Sequence, residues 1–389
     1  MDDILKEHHK IIKNLLSQTR VSFLIGAGCS FCAGLPLMDD LTKKVYDDLI
    51  TNMDNEEVNK SIKLLNEIRE RYDGINNVSI EDVLSEVQDI YAILQRQINK
   101  GIENPEHLTQ NNSYNIKQVS QLLKKIKMSI RDILGDPIDT IEYHRKFCNA
   151  VHYGLKQGRD RTTKPINYFI LNYDTILEDA LALEGISFND GFVGGATAWW
   201  DPSRFKGNKD VLGGNRKLEA HVYKLHGSID WIKPSNSDLP MRIRDTLPRK
   251  DIVGQEGEPV VIYPASIKYK ETQHDPYAQM IMNFRNHLSD TQNHVLAVMG
   301  YGFNDSHINI EIRDGIKASN GSLSVVIFLG TKELPSCISE WLKDEDILSQ
   351  ILVLGKNSIW KNGEKLLDSE EEIDWYKFEY ISELLSGVS

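Results

Sequence analysis

The stretch FLIGAGCSFCAGLP, residues 23–36, decides how the fold is interpreted. An apolar run leads directly into a glycine-rich turn, which is typical of a buried parallel strand that brings its carboxyl end to a nucleotide phosphate. Gly26 and Gly28 are able to take positive φ and let backbone N–H groups approach a pyrophosphate, beside the positive end of a following helix. Gly34 follows Gly28 by six positions, whereas the usual dinucleotide fingerprint has three, so a plain dehydrogenase site is disfavoured. On its own the turn fits phosphate binding or a structural tight turn.

Composition and charge restrict the class of protein. The chain has 389 residues, 40% of them hydrophobic and 26% charged, as expected of a globular protein with one large or two medium domains. The formal net charge of −12 makes direct binding to a nucleic-acid backbone an unfavourable hypothesis. We find no signal peptide and no apolar run of about eighteen residues, and therefore expect no membrane association. The 4 cysteines do not suggest a disulfide framework, so a cytoplasmic location is expected.

Hydrophobic periodicity divides the chain into segments. Residues 1–19 are predicted to form an amphipathic helix, and residues 20–330 form the main domain, which a helical insertion at about residues 39–155 interrupts. From residue 165 onward, helical stretches alternate with short apolar runs: INYFIL, HVYKL, PVVIYP, HVLAVMG and LSVVIFLG. This alternation predicts an α/β fold, a Rossmann-like doubly wound parallel sheet with a large helical insertion. Residues 331–389 are predicted to be an appended acidic element with one further strand, ILVLG.

Polar side chains follow two of the predicted strands. Asn172, Tyr173 and Asp174 occupy a strand-to-helix turn, at the edge where open α/β sheets place groups that contact ligands. The alternative for Asp174 is a cap on the helix that begins near Thr175. His226 follows another strand and precedes a glycine, and it is the best candidate general base, although a single histidine is more often structural.

A fourth segment, HVLAVMGYGFNDSHINIEI, ends a strand at a glycine-rich turn. Gly300 and Gly302 lie in this turn, and Asn304 or Asp305 is positioned to cap the next helix. The turn is a candidate for contact with a ribose or an adenine edge.

Taken together, these segments resemble the sirtuin superfamily. The first loop is similar to the sirtuin GAG-x-S-x-x-x-G-I-P loop, with six residues in register: Gly26, Ala27, Gly28, Ser30, Gly34 and Pro36. NYD is similar to the sirtuin Asn-Ile-Asp element, and LHGS to the sirtuin His-Gly. The resemblance spans roughly residues 20–330 outside the insertion. It implies an NAD-binding catalytic domain in which Asn172 and Asp174 lie on the ribose and nicotinamide sides of the pocket and His226 is catalytic.

Two departures from the protein deacylases of this superfamily alter the expectation. Those enzymes continue the loop as Pro-x-Phe-Arg, whereas Pro36 is followed here by Leu37. They also carry a zinc ribbon built from two cysteine pairs, and this chain has one C-x-x-C, formed by Cys29 and Cys32. Because one such pair supplies too few thiolates for a structural zinc, we expect no metal.

The remaining features resemble the bacterial sirtuin-like proteins of antiphage defence, particularly those paired with a HerA-type hexameric ATPase. This resemblance implies an NAD hydrolase that releases nicotinamide and ADP-ribose, with NAD as substrate, and a homo-oligomer. Because a constantly active NADase would exhaust its host, we expect control by assembly or by a partner. The Gly26–Ser30 loop would hold the pyrophosphate, with Tyr173, Gly300, Gly302 and Asn304 lining the site. The alternatives are an NAD-dependent protein deacylase or ADP-ribosyltransferase, and a non-catalytic sensor of ADP-ribose-type ligands.

Overall fold

A computed structural model describes residues 2–18, 20–51, 56–72, 78–109, 112–155, 164–205, 211–212, 216–234, 239–244, 258–261 and 275–387. The helices of this part of the chain are α1 (Asp2–Leu16), α2 (Met38–Thr51), α3 (Glu56–Arg71), α4 (Ile80–Asn99), α5 (Ile116–Leu134), α6 (Glu142–Asn149), α7 (Ile176–Leu183), α8 (Tyr277–Leu288), α9 (Ser306–Ala318), α10 (Ser336–Trp341) and α11 (Phe378–Ser386). None of them is long and apolar enough to cross a lipid bilayer.

Within the described residues, the strands form one large sheet, one smaller sheet and two sheets of two strands each. In chain order they are β1 (Val21–Ile25), β2 (Glu106–Leu108), β3 (Ser113–Asn115), β4 (Ile166–Ile170), β5 (Phe188–Asn189), β6 (Phe192–Gly194), β7 (Thr197–Trp200), β8 (Val211–Leu212), β9 (Arg216–Lys217), β10 (Ala220–Lys224), β11 (Gly227–Lys233), β12 (Met241–Ile243), β13 (Glu258–Val261), β14 (His294–Met299), β15 (Leu323–Leu329), β16 (Ile351–Gly355), β17 (Ser358–Lys361) and β18 (Glu364–Asp368).

The large sheet has the strand order β18-β17-β16-β15-β14-β1-β4-β10-β5. Its strands from β5 to β16 are parallel, and β17 and β18 continue the edge antiparallel. The central strand β1 pairs with β14 on one side and β4 on the other, so that Phe23 lies between Ala297 and Tyr168. From β1 the chain builds the sheet first toward β4 and β10 and later toward β14 and β15. The strand order therefore reverses between β1 and β14, and this reversal is where such sheets form a ligand crevice.

Helices cover both faces of the large sheet. Along β1, the side chains of Phe23 and Ile25 enter one core with residues of α1, α6, α7 and α11, whereas Leu24 enters a second core with residues of α8, α9 and α10. Burial on both faces explains why the central strands are apolar at almost every position. This arrangement confirms the predicted Rossmann-like doubly wound α/β fold.

The helical insertion has a hydrophobic core of its own. Leucine, isoleucine and valine side chains from α2, α3, α4 and α5 form this cluster, and Tyr173 of the main domain joins it. α6 lies within the predicted insertion, but its Phe147 and Cys148 pack in the core of the large sheet. The predicted domain boundaries stay a prediction.

Two further runs that were predicted to be strands pair in different sheets. The run PVVIYP was expected in the parallel sheet, but β13, which contains its first three residues, pairs antiparallel with β11 in the smaller sheet. That expectation is wrong because a short apolar run does not encode its pairing partner; residues 262–264 lie outside the described residues. ILVLG was predicted to be a strand, and it is β16, paired parallel with β15.

Candidate functional site

The candidate site is built from the turns that follow β1, β4, β10 and β14. These strands are neighbours in the order β14-β1-β4-β10 and run in parallel, so their carboxyl ends lie along one edge of the sheet. Each turn carries one of the motifs singled out in the sequence. Contacts between consecutive turns join the four segments into one polar cluster.

The loop after β1 forms two 3₁₀ turns, Ala27–Cys29 and Phe31–Ala33. The prediction of a helix directly after these glycines is therefore wrong, because the next α-helix begins only at Met38. The N–H groups of Gly26 and Gly28 donate hydrogen bonds of 2.9 Å to the carbonyl oxygens of Met299 and Gly300. These glycine amides are engaged within the protein rather than directed at a pyrophosphate.

The glycines at this position allow two turns to touch. A Cβ atom on Gly26 would lie 2.5 Å from the carbonyl oxygen of Gly300, and one on Gly300 would lie 2.4 Å from the backbone nitrogen of Cys29. Gly300 also has a φ of 63°, in the left-handed region that favours glycine. The turns after β1 and β14 thus meet at the reversal of strand order, in contacts that side chains would prevent.

Ser30 connects the loop after β1 to the turn after β4. Its hydroxyl donates a hydrogen bond of 2.8 Å to Oδ2 of Asp174 and accepts one of 2.8 Å from Nδ2 of Asn172. The other carboxylate oxygen of Asp174 accepts from the N–H of Ile176 at 3.1 Å, in the first turn of α7. Asp174 therefore stabilises the start of α7 and also accepts the hydrogen bond of Ser30. The alternative role that the sequence allowed for Asp174, at the start of this helix, is thus observed alongside its contact with Ser30.

The side chain of Asn172 has a buried oxygen, Oδ1, that accepts no hydrogen bond from the described residues. Its side chain is buried, with 6% of the residue exposed, and Nδ2 is bound to Ser30. No donor in the described part of the chain reaches its Oδ1. A buried amide oxygen without a partner costs about 1–3 kcal/mol, so the site favours a bound hydroxyl or water at this position.

Tyr173 connects the same turn to the helical insertion. Its hydroxyl donates a hydrogen bond of 2.8 Å to Oε1 of Glu81 on α4, and its carbonyl oxygen accepts from the N–H of Ile229 at 2.9 Å. The rings of Tyr173 and His226 are tilted against each other with centroids 6.5 Å apart. Tyr173 thus lies between the insertion and the turn after β10.

His226 lies between β10 and β11, and its partner comes from the turn after β14. Nε2 of His226 is 3.1 Å from Oδ2 of Asp305, and both side chains are buried. Oδ1 of Asp305 accepts from the N–H of His307 at 3.0 Å, which makes Asp305 the N-cap of α9. Sequence reasoning named Asp305 only as a helix cap, because nothing local indicates a contact with His226.

Other predicted site residues lie at the surface of these turns. Ala27, Gly302 and Asn304 are exposed, and the cap on α9 is Asp305 rather than Asn304. Gly28 is half-buried. These residues mark the solvent side of the edge, whereas Ser30, Asn172, Asp174 and His226 form its buried side.

A buried lysine beneath the site was missed from the sequence. Lys224, the last residue of β10, is 1% exposed, and its Nζ donates a hydrogen bond to the carbonyl oxygen of Asp174. The same Nζ lies 3.6 Å from Oε1 of Glu178. Burial raises the pKa of Glu178, and the positive charges of Lys224 and Arg244 oppose that shift. The signal in the sequence was a lysine within the otherwise apolar run HVYKL.

The Cys29 thiol and the His144 ring, which both interact with the charge of Asp174, are kept uncharged. Burial raises the pKa of the Cys29 thiol, and the negative charges nearby raise it further, so Cys29 is not a thiolate nucleophile. Burial lowers the pKa of His144 to about 4, against the opposing effect of Asp174. Within the described residues, no group of three or more His, Cys, Asp or Glu side chains is arranged to hold a metal ion.

The fold and the edge define a Rossmann-like α/β protein with a buried polar site at the carboxyl ends of its central strands. Residues 167–349 match the model of the family described as SIR2-like domain. The matched range is a little under half of the chain, and it contains the turns after β4, β10 and β14 but not the loop after β1.

Two solved structures are similar to the chain at 11% identity. One is a crystal structure of a Sir2 homologue in complex with NAD, with a TM-score of 0.43 and coverage of 97% of this chain and 93% of that chain. The other is an ADP-ribose complex of a mutant Sir2 homologue, with a TM-score of 0.42 and coverage of 97% and 95%. Similarity at this level assigns no residue roles. Among proteins of curated function, no significant match is found.

Proposed function

We propose that this chain binds NAD at the carboxyl edge of the large sheet and hydrolyses the bond between nicotinamide and ribose. The observation that carries the proposal is the buried Oδ1 of Asn172, which lacks a donor among the described residues and lies in the turn that also carries Asp174. A ribose hydroxyl or a water molecule is the donor that the reaction would supply there. The match of residues 167–349 to the SIR2-like domain supports this ligand class.

The proposed reaction needs little acid catalysis, because the leaving group, the nicotinamide ring of NAD, is already cationic. The C–N bond to the anomeric carbon breaks through an oxocarbenium-like transition state, and nicotinamide departs as a neutral molecule. A water oxygen forms the new bond to that carbon, and the proton of the water passes to the base. His226 is the proposed base, acting on the water or on a ribose hydroxyl.

The other residues hold the substrate in place in this proposal. Asn172 binds the ribose hydroxyl or orients the attacking water, and Asp174 lies toward the nicotinamide end. The exposed side of the loop at Ala27 faces the phosphates, since the amides of Gly26 and Gly28 are engaged by the turn after β14. Tyr173, Gly300, Gly302 and Asn304 are proposed to shape the rest of the site.

Incubation with NAD alone tests the proposal, with products separated by mass. Free nicotinamide and ADP-ribose, formed without an acylated peptide or protein acceptor, support hydrolysis. Products that appear only with an acceptor identify a deacylase or an ADP-ribosyltransferase, and tight binding without product identifies a sensor. Each of the last two results rejects the hydrolase.

Two variants and a control test the residues. His226→Ala and Asn172→Ala are each expected to reduce nicotinamide release by about 10²- to 10⁴-fold. Asn14→Ala, an exposed change on α1, is expected to leave the rate unchanged. Normal release by both site variants, with thermal unfolding as in the parent protein, rejects this placement of the site.

The wider role that we propose is antiphage defence through depletion of cytoplasmic NAD. A constantly active NADase would exhaust its own cell, so activity is proposed to depend on a homo-oligomer or on a HerA-type hexameric ATPase. Gel filtration and NAD turnover, each measured with and without such an ATPase, test this control. Full activity of an isolated monomer rejects it.

A further inference from the structure

The contact between Asp305 and His226 joins two turns that are not adjacent in the sheet. His226 follows β10 and Asp305 follows β14, with β1 and β4 between these strands. Neighbouring strands are about 4.8 Å apart, so the two side chains meet across roughly 14 Å of sheet. The contact therefore spans the ends of β1 and β4, the strands that Ser30 and Asn172 follow.

Asp305 is held in place by the helix that it caps. Its Oδ1 accepts hydrogen bonds from the N–H groups of His307 at 3.0 Å and Ile308 at 3.5 Å. The positive end of the α9 dipole favours an ionised carboxylate at this position. The hydroxyl of Tyr301 donates to the carbonyl oxygen of Asp305 at 3.0 Å, which holds the backbone of the same residue. Oδ2 is thereby directed at His226 from a rigid support.

The chemistry of the pair determines which nitrogen of His226 carries a proton. An ionised carboxylate only accepts hydrogen bonds, so Nε2, at 3.1 Å from Oδ2, is the nitrogen that donates. In the neutral ring Nδ1 is then the acceptor. Removal of the Asp305 carboxylate takes away this constraint on the tautomer and on the orientation of the ring.

We propose that Asp305 is a positioning residue that fixes the tautomer and the orientation of His226, so that Nδ1 is the nitrogen that accepts the proton in the reaction. The catalytic part of this inference rests on the proposed function. The tautomer itself does not, because it follows from the contact between Nε2 of His226 and Oδ2 of Asp305. The proposed effect of Asp305 on the reaction passes through His226.

Two substitutions separate positioning from helix capping. Asn and Ser are both good N-caps, so Asp305→Asn and Asp305→Ser both retain the start of α9. Asn offers an N–H to Nε2 and stabilises the opposite tautomer, whereas Ser is too short to impose either one. Asp305→Asn is expected to reduce kcat for NAD by about 10²- to 10⁴-fold with little change in KM. Asp305→Ser is expected to retain more activity than Asp305→Asn.

A matched control is Asp374→Asn, an exposed carboxylate paired with Lys377, which is expected to leave kcat unchanged. Equal kcat values for Asp305→Asn and Asp305→Ser contradict the proposal, since a residue that served only as a helix cap would be replaced equally well by either side chain. A loss confined to KM contradicts it as well.

A measurement without substrate keeps the inference separate from the proposed function. Histidine labelled with ¹⁵N in the full chain reports the tautomer by NMR, and the His226 signals are those that disappear in His226→Gln. A proton on Nε2 of His226 in the parent protein, together with a proton on Nδ1 in Asp305→Asn, supports the proposal. A proton on Nδ1 in the parent protein overturns it, whether or not the protein turns over NAD and whether or not the Asp305 variants fold.

Discussion

The hydroxyl of Ser30 donates a 2.8 Å hydrogen bond to Oδ2 of Asp174, and this bond joins the loop after β1 to the turn after β4. The same hydroxyl accepts from Asn172, so one small side chain satisfies two buried polar groups. Ser30 is therefore the point on which the geometry of Asn172 and Asp174 depends.

Ser30→Ala is expected to destabilise the protein by about 1–3 kcal/mol, because Asn172 and Asp174 lose a buried partner. Urea denaturation measures the change. The control is Ser382→Ala, where a buried hydroxyl bonds only the carbonyl oxygen of Phe378 within α11. An equal effect of the two substitutions contradicts the central role of Ser30.

Gly300→Ala is expected to cost about 2–5 kcal/mol, from left-handed backbone strain together with a clash against the loop after β1. Gly321→Ala provides the comparison, because Gly321 has a φ of 88° and its added Cβ would meet nothing within 4 Å. That variant should cost only the strain, about 1–2 kcal/mol. Thermal or urea unfolding of both proteins measures the difference, and equal losses reject the packing argument for Gly300.

Tyr173→Phe is expected to loosen α4, because the buried carboxylate of Glu81 loses the hydroxyl that lies 2.8 Å away. Hydrogen exchange at the first turns of α4 should become faster, with a loss of about 1–3 kcal/mol in stability. Tyr380→Phe removes a hydroxyl that contacts His9 instead and should leave α4 unaffected. Unchanged exchange in α4 on loss of the Tyr173 hydroxyl argues against a link between insertion and site.

Acidification is expected to destabilise the fold through His144. Burial lowers its pKa from 6.5 to about 4, so its contribution to stability is complete above pH 6.5 and is lost as the pH falls toward 4. The loss is at most about 3.5 kcal/mol, since one pKa unit corresponds to about 1.4 kcal/mol.

His144→Phe keeps a ring against Phe378, where the present centroid separation is 4.6 Å, and removes the titrating group. Its free energy of unfolding, measured by urea denaturation from pH 7.5 to 4.5, should fall less steeply than that of the parent protein. Part of the slope will remain, because burial also lowers the pKa of His287, to about 3. Parallel curves for the two proteins reject this assignment.

Much of the fold follows from local patterns in the sequence. Apolar runs such as HVLAVMG and LSVVIFLG indicate strands buried on both faces, and β14 and β15 occupy them. The turns that follow these strands carry the polar residues because backbone and side chains are free to meet water or ligand only where a buried strand ends. Placing Asn172, Asp174 and His226 at one edge of the sheet therefore required no knowledge of the tertiary structure.

Only the tertiary structure decided which groups touch. The PVV run pairs antiparallel in the smaller sheet, Asp305 contacts His226, and the amides of Gly26 and Gly28 donate to the carbonyl oxygens of Met299 and Gly300. Strand pairing and buried contacts join residues that are distant along the chain, whereas periodicity and turn preferences describe only near neighbours. The sequence by itself thus determined the buried central strands, the α/β layers and the edge that carries the polar residues. Packing across that edge determined their partners.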